Sequence, residues 1–281
     1  MSSSGPLFVG GTGRSGTTIV ARILDAHPDL HMIPIEVRFV VDPGGLCDVV
    51  AGKTDVESFV EKLLGPWWQR VRPDGSTRGV HTILDRNDLV AAAEDLMRAE
   101  PSNLLESARR FLHAVLDPLA DAAGARTWVE MTPPNIARAG DLLHLLPTMR
   151  LVHSVRSGKD VACSVTSVSW GPNDPLSALD WWEVRMTEAH EACANLPGDR
   201  VMTLHLEDLI VHARQETLSR LLEFAGIDRH PAVDRFFDRS VTIDHSNIGR
   251  WAIDVEREHR DVFLERYESI LDRLTRLGIA V

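Results

Sequence analysis

The chain has 281 residues, enough for one α/β domain with a sizeable buried core, and a formal net charge of −11. This acidic balance excludes a broad nucleic-acid-binding surface and a general attraction to anionic membranes, so any anion site must be local. Cys47, Cys163 and Cys193 are widely spaced, which excludes a metal-ligand motif and a disulfide framework and predicts reduced core thiols.

No segment has the pattern of a signal peptide or of a membrane span. The N-terminus lacks a basic segment followed by a long apolar run, and no later apolar run is long enough to cross a bilayer. We therefore expect a cytoplasmic protein with no membrane span and no nucleic-acid partner.

The stretch from Leu7 to Thr18 predicts a strand, a glycine-rich turn and the start of a helix. Glycines allow positive φ, and the first free N–H groups of a helix point together at an anion. Arg14 would add a positive charge, and Thr17 and Thr18 would offer hydroxyl and N–H groups. The pattern predicts a phosphate site; the alternative is a strand-to-helix turn that binds nothing.

Three phosphate motifs compete for this turn. Gly11 to Gly16 has the glycine spacing of a Walker A loop, but Thr17 takes the place of its lysine, which disfavours ATP chemistry. Gly11, Gly13 and Gly16 also match the dinucleotide fingerprint, with Glu36 where a ribose-binding acid belongs. The third motif is the run Arg-Ser-Gly-Thr-Thr at residues 14–18.

This run resembles the 5′-phosphosulfate loop of the sulfotransferases, bacterial members included, that use 3′-phosphoadenosine 5′-phosphosulfate (PAPS). The resemblance implies an α/β fold, P-loop-like, with a central parallel sheet flanked by helices and the ligand outside the carboxyl ends of the strands. It makes Arg14 the main catalytic cation. The implied cofactor-binding residues of the loop are Gly13, Arg14, Ser15, Gly16, Thr17 and Thr18.

The first helix is predicted to end near Ala26, before a His-Pro pair, and an extended segment then brings Glu36 and Arg38 near the phosphate loop. Many bacterial sulfotransferases carry an acidic residue at this place, so Glu36 is a candidate general base. The alternative is a surface carboxylate or an ion-pair partner for Arg38.

Residues 42–126 have helical periodicity with glycine and proline breaks, which predicts a helical insert that shapes the acceptor pocket of a single domain. Trp67 and Trp68 are expected in the core or in the wall of an apolar acceptor site. The predicted helices of the insert are Asp55–Leu64, Asp85–Ala99 and Ser102–Ala123.

The strand predicted at Thr127–Met131 runs into a Thr-Pro pair that resembles the Lys-Thr-Pro segment of bacterial sulfotransferases. Met131 replaces the lysine. Glu130 is the second candidate base, with a structural cap or ion pair as its alternative.

The next predicted strand, Met149–Val155, ends at Arg156, and Ser164 follows eight residues later. A helix starting near Gly158 would bring both side chains to one anion. Sulfotransferases that use PAPS bind its 3′-phosphate with an arginine and a serine at this spacing, and the resemblance implies this role here. The dinucleotide interpretation assigns the pair no role.

A last strand is predicted at Arg200–Leu206, where Leu206 replaces a tyrosine common in the family, and Glu207 with Asp208 is expected to cap the following helix. The stretch HSNIGRW, residues 245–251, resembles the C-terminal loop that closes over PAPS. This resemblance implies that Gly249 and Arg250 meet the 3′-phosphate; the alternative is a turn before a helix at Asp254–Leu277.

These motifs predict sulfuryl transfer from PAPS to an acceptor hydroxyl or amine by in-line displacement, with release of adenosine 3′,5′-bisphosphate and no metal. The acceptor is expected to be a small molecule, a lipid or a carbohydrate, with a peptide also open. Two alternatives are a dinucleotide-binding oxidoreductase and a non-catalytic nucleotide-binding protein.

Overall fold

The computed structural model describes residues 5–71 and 75–281. The first four residues of the N-terminal segment and residues 72–74 of the predicted insert lie outside these ranges. Within them, no helix combines the length and the apolar character that crossing a membrane requires.

Seven strands occur in the described ranges. They are β1 (Leu7–Gly11), β2 (Leu30–Met32), β3 (Arg70–Val71), β4 (Thr77–Arg78), β5 (Thr127–Glu130), β6 (Arg150–Val155) and β7 (Val201–His205). Five of them form a wholly parallel sheet in the order β2-β5-β1-β6-β7, and β3 pairs separately with β4 in antiparallel fashion. The central strands are apolar and buried, as a parallel sheet covered on both faces requires.

Helices surround this sheet. In the described parts of the chain they are α1 (Thr17–Asp25), α2 (Leu46–Val50), α3 (Val56–Leu64), α4 (Arg86–Met97), α5 (Leu104–Ala122), α6 (Ala139–Leu145), α7 (Gly158–Val165), α8 (Pro175–Cys193), α9 (Arg214–Ala225), α10 (Pro231–Ser240), α11 (Ile243–Ser246), α12 (Trp251–Asp254) and α13 (Arg260–Arg276). The three helices predicted in the insert are confirmed as α3, α4 and α5. Asp55 and Asp85 cap the first two by accepting backbone N–H groups.

Side chains of β1 alternate between the two faces of the sheet. Leu7 and Val9 pack with α1, α9 and α10, whereas Phe8 packs against Trp128 and the insert helices α2 to α5. A third cluster joins α7, α8 and α13. The predicted α/β fold with helices on both faces is confirmed.

The C-terminal region differs from the single helix predicted at Asp254–Leu277. α12 ends at Asp254, a short 3-10 turn follows, and α13 begins only at Arg260. Val255 has extended backbone and is buried, and the Arg260 guanidinium donates to the Val255 carbonyl. Burying this apolar residue breaks the helix, and the arginine satisfies the carbonyl that the break exposes.

Parallel pairing brings the carboxyl ends of the strands to one edge of the sheet. The glycine-rich turn follows β1, Arg156 follows β6 and Leu206 follows β7, while Glu130 is the last residue of β5. The chemistry predicted from separate parts of the sequence therefore meets at this edge.

Candidate anion-binding active site

A cavity of about 990 Å³ opens at the carboxyl edge of the sheet. Its walls are the turn after β1, residues 34–38, parts of the insert around β3 and β4, and the segment 240–247. A single carboxylate, Glu36, lines it among the described residues. Among the described residues, six arginines line the same cavity: Arg14, Arg22, Arg38, Arg70, Arg78 and Arg156. In a chain with a net charge of −11, this is a strongly positive local site.

The turn between β1 and α1 has the backbone geometry of an anion site. Gly13 and Gly16 have φ angles of 87° and 92°, and Arg14 between them has a φ of 59°, a conformation in which a non-glycine residue is uncommon. Among the hydrogen bonds of residues 5–71 and 75–281, none is donated by a backbone N–H group from Gly13 to Thr18. These free donors at a helix N-terminus fit a phosphate or a phosphosulfate.

Contacts with the end of β6 and with Trp170 hold this turn in place. Ser154 Oγ donates to the Ser15 carbonyl at 2.7 Å. A Cβ atom on Gly11 would lie 2.2 Å from Ser15 Oγ, so the Ser15 hydroxyl packs beneath the turn and does not line the cavity. Above the turn, a Cβ on Gly13 would meet the Trp170 indole at 3.2 Å. Strand packing and this indole therefore fix the shape of the turn.

Arg14 connects Arg156 with Ser164, the two residues that the spacing predicts at one anion, and of these three residues Arg14 and Arg156 line the cavity. Arg14 Nε donates to Ser164 Oγ at 2.9 Å, and Arg156 Nη1 donates to the Arg14 carbonyl at 3.2 Å. Ser164 is buried on α7, whereas Arg14 is exposed. The start of α7 at Gly158 brings residues from two parts of the chain to one place.

Arg156 also connects the phosphate turn to the C-terminal loop. Its Nη2 donates to the Asn247 carbonyl at 2.6 Å, and its buried Nε has no partner within the described structure. Burial lowers the pKa of Arg156, and the negative charges of Asp160 and Glu207 oppose that change. Asp160 Oδ2 lies 3.8 Å from Arg156 Nη2, and a phosphate at this end of the cavity would add further negative charge beside the buried guanidinium.

Asp160 holds the C-terminal loop, a role that the sequence analysis did not assign. Its carboxylate accepts the N–H groups of Gly249 at 2.8 Å and Trp251 at 3.1 Å. Lys159 lies over the Trp251 ring, 4.7 Å from its centre. An acidic residue on the first turn of α7 was the available signal, but only the folded chain shows which loop it binds.

Gly249 and Arg250 lie outside the cavity wall, in contrast to the expected contact with a phosphate. Arg250 Nε donates to Asp254 at 2.5 Å, and the Gly249 N–H is bound by Asp160. The loop reaches the cavity through residues 245–247 instead. In this conformation the loop contacts Arg156 through the Asn247 carbonyl, which accepts from the Arg156 guanidinium.

Glu36 lies in the cavity wall with its side chain 35% exposed. Arg38 donates to Glu36 Oε2 from Nη2 at 2.7 Å and from Nε at 3.0 Å. No donor to Oε1 is present in the described ranges. Glu36 thus combines the two alternatives of the sequence analysis, an ion-pair partner for Arg38 and a carboxylate with one oxygen free toward the cavity.

Glu130 is completely buried and does not line the cavity. Its Oε1 accepts the N–H groups of Val37 and Thr132, each at 2.9 Å, and the Thr132 hydroxyl, while Oε2 accepts Asn135 Nδ2. Burial raises the pKa of Glu130, and these hydrogen bonds oppose the rise. The geometry makes Glu130 a structural acceptor that also positions the segment carrying Glu36.

One other side chain, that of Glu207, departs from its expected role. Glu207 accepts the Ser157 N–H at 2.9 Å and caps no helix after its own strand, so that prediction is wrong. The buried start of α7 needs this acceptor. Trp67 and Trp68 both pack against the core, one of the two predicted environments, and Trp67 also lines the cavity, the other one. Trp68 contacts His81 and Arg86 as well.

The family model described as "Sulfotransferase family" matches residues 6–231. The chain belongs to this family. The prediction of a sulfotransferase enzyme from the motifs around Arg14, Arg156 and residues 245–251 is thereby confirmed. Of the three phosphate motifs that compete for the turn after β1, the family match supports the 5′-phosphosulfate loop.

Known proteins with similar sequence or structure agree with this assignment. The chain is 21% identical over 236 residues to a protein-tyrosine sulfotransferase of Drosophila melanogaster; the match covers 81% of this chain and 39% of that relative's length. Its fold resembles the sulfotransferase domain of the Synechococcus PCC 7002 olefin synthase, with a TM-score of 0.55, 19% identity and 96% of both chains covered. It also resembles the sulfotransferase domain of the curacin biosynthetic pathway, with a TM-score of 0.57, 16% identity and coverage of 99% of this chain and 98% of that one.

Proposed function

We propose that this sulfotransferase moves the sulfuryl group of PAPS to an acceptor hydroxyl or amine and releases adenosine 3′,5′-bisphosphate. The observation that carries the proposal is one positive cavity that joins the free N–H groups of residues 13–18, Arg14 and Arg156 to the carboxylate of Glu36. PAPS supplies the activated sulfuryl group. The protein supplies position and charge, as in other transfers of phosphoryl-like groups.

The donor end of the cavity is formed by the turn after β1, Arg156 and residues 240–247. We assign the 5′-phosphosulfate to the N–H groups of the turn, with Arg14 stabilising the charge that develops on the departing phosphate. Arg156 and Ser164 hold the 3′-phosphate, because a buried arginine fork binds phosphate oxygens well. Gly249 and Arg250 would join them only if the ion pair of Arg250 with Asp254 opens.

The acceptor end is formed by residues 34–38 and the insert. Glu36 takes the proton of the attacking group at Oε1, while Arg38 fixes the carboxylate through Oε2. The helical insert at 42–126 shapes this end with Pro66 and Trp67. Because the Drosophila relative is named for action on tyrosine, a phenol is the first acceptor to test, ahead of lipid and carbohydrate hydroxyls.

We further propose a cytoplasmic location, which the three free cysteines support. Burial raises the pKa of Cys47 to about 12 and the pKa values of Cys163 and Cys193 to about 11. Thiols of this kind are unreactive and suit a reducing compartment.

Adenosine 3′,5′-bisphosphate is expected to bind without magnesium and more tightly than ATP or NAD. The arginines of the cavity supply the counter-charge that a metal would otherwise provide. Calorimetric titration of the three ligands, with and without magnesium, measures this. Equal affinity for NAD would contradict the proposal and favour a dinucleotide enzyme, and tight ATP binding that depends on magnesium would favour a kinase-like site.

Replacing Arg156 by Ala is expected to weaken adenosine 3′,5′-bisphosphate binding by roughly 1.5–3 kcal/mol, or about ten- to a hundredfold. The reason is the loss of charge-assisted hydrogen bonds to the 3′-phosphate. Ser164→Ala should cost less, because it removes one neutral hydroxyl. Titration of adenosine 5′-phosphate is the control, since neither change should alter its affinity much. Equal losses for both ligands would mean that these residues support the turn and not the phosphate.

A further inference from the structure

The antiparallel pair β3–β4 places two arginines directly opposite each other at the acceptor end of the cavity. Arg70 and Arg78 are cross-strand partners, and both line the cavity wall. Like charges in this position destabilise a strand pair. Neither guanidinium has a hydrogen bond or an ion pair within residues 5–71 and 75–281, and both residues are exposed.

The strand pair is anchored beside the cavity. The Val80 N–H donates to the Trp67 carbonyl at 2.9 Å, and the His81 N–H donates to the Trp68 carbonyl at 3.1 Å. Gly79, with a φ of 140°, packs against these carbonyls, where a Cβ would lie 2.2 Å from the Trp68 oxygen. The backbone after Arg78 is thus fixed against the same Trp67 that lines the cavity.

Arg70 acts electrostatically on Asp42, which accepts from the same Arg38 guanidinium as Glu36. Burial raises the pKa of Asp42, and Arg38, Glu36 and Arg70 all act on that carboxyl. Asp42 already accepts a hydrogen bond from Arg38 at 3.3 Å. Asp42 is therefore already paired with Arg38, and within residues 5–71 and 75–281 Arg70 and Arg78 have no ion-pair partner in the cavity wall that also carries Glu36.

The donor does not account for these charges. The donor end has its own cations in Arg14 and Arg156, and its wall is formed by other segments of the chain. The chain contains 41 acidic and 30 basic residues, so unpaired neighbouring arginines are not a consequence of a general excess of positive charge. An anionic group that enters with the acceptor would relieve the repulsion between them.

We propose that Arg70 and Arg78 together bind an anionic group of the acceptor, a carboxylate, phosphate or sulfate, and so select acceptors that carry both this group and a nucleophilic hydroxyl or amine. The inference rests on the proposed function. In the transfer, the bond from sulfur to the bridging oxygen of PAPS breaks, a bond from sulfur to the acceptor atom forms, and the acceptor proton passes to Glu36. Adenosine 3′,5′-bisphosphate leaves with the electron pair.

Binding is tested on the full chain saturated with adenosine 3′,5′-bisphosphate, with 3-(4-hydroxyphenyl)propanoate and its neutral amide as matched probes. Trp67 and Trp170 line the cavity, so tryptophan fluorescence reports its occupancy. Calorimetry measures the same binding independently. The carboxylate should bind about ten- to a hundredfold more tightly than the amide. The double variant Arg70→Gln with Arg78→Gln should lose this preference and retain its affinity for the amide.

The pair Arg220→Gln with Arg235→Gln is the matched control, because both arginines are exposed outside the cavity, on α9 and α10, and their loss lowers the charge of the chain by the same two units. It should keep the preference for the carboxylate. The double variant should remain folded, since it relieves a like-charge contact at exposed positions. An unchanged melting temperature and unchanged affinity for adenosine 3′,5′-bisphosphate verify this.

The inference is overturned if the wild-type chain binds the two probes equally, binds neither at millimolar concentration, or keeps its preference in the double variant. Turnover of the probes with labelled PAPS separates this result from the proposed function. A chain that prefers the carboxylate but forms no sulfated product with any acceptor would retain the anion site and lose the proposed reaction. Sulfated product formed with no binding preference for the carboxylate probe would support the proposed reaction and overturn the anion site.

Discussion

Glu36→Gln is expected to lower turnover by about 10²–10⁴-fold, the usual contribution of a positioned general base. The amide keeps the size of the carboxylate but cannot take the acceptor proton. Glu36 is the one carboxylate among the described residues of the cavity wall, and its Oε1 is free of protein donors. Steady-state turnover at saturating PAPS and acceptor measures the effect, while affinity for adenosine 3′,5′-bisphosphate should remain nearly unchanged.

Asp42→Asn is the matched control, because Asp42 and Glu36 both accept hydrogen bonds from Arg38. If Glu36 acts as the base, Asp42→Asn should reduce turnover only slightly. A loss as large as that of Glu36→Gln would mean that both carboxylates act by holding Arg38. Near-normal turnover of Glu36→Gln with a saturating acceptor would show that the assignment is wrong.

Glu130→Ala is expected to lower the free energy of unfolding by roughly 3–5 kcal/mol, since it leaves several buried donors without an acceptor. The donors are the N–H groups of Val37 and Thr132, the Thr132 hydroxyl and Asn135 Nδ2. Urea unfolding measures this change. A loss below about 1 kcal/mol would mean that these groups find other partners.

Glu130→Gln separates this structural role from catalysis. Its amide oxygen still accepts the donors of Val37 and Thr132. Rotation of Asn135 would present its Oδ1, which has no partner among the described residues, to the new NH₂ group, at the cost of the hydrogen bond from Asn135 Nδ2 to the Val9 carbonyl. We expect a smaller loss of stability and nearly normal turnover of the folded enzyme. A loss of turnover comparable to that of Glu36→Gln, at full stability, would instead make Glu130 the base.

Local sequence determined the parts of the site that depend on neighbouring residues. Gly13 and Gly16 adopt the positive φ angles that their turn requires, and the helix predicted to start near Gly158 begins there and carries Ser164. The parallel sheet and the helices of the insert also follow from periodicity and from caps such as Asp55. Each of these depends on the backbone preferences of a short segment, which the sequence states directly.

Only the tertiary structure decided which charged groups face the cavity. The local sequence made both Glu36 and Glu130 candidate bases, and only the fold separates them. The N–H group of Val37, 93 residues before Glu130, donates to the buried Glu130 carboxylate, whereas Glu36 lies at the surface of the cavity. Arg250 pairs with Asp254, a local partner one helical turn further on that the sequence analysis missed. Glu207, in contrast, accepts the N–H group of Ser157, 50 residues away, where a helix cap was expected. A carboxylate or guanidinium pairs with whichever group the fold places within hydrogen-bond distance. When that group is far away in the sequence, no local sequence pattern predicts it.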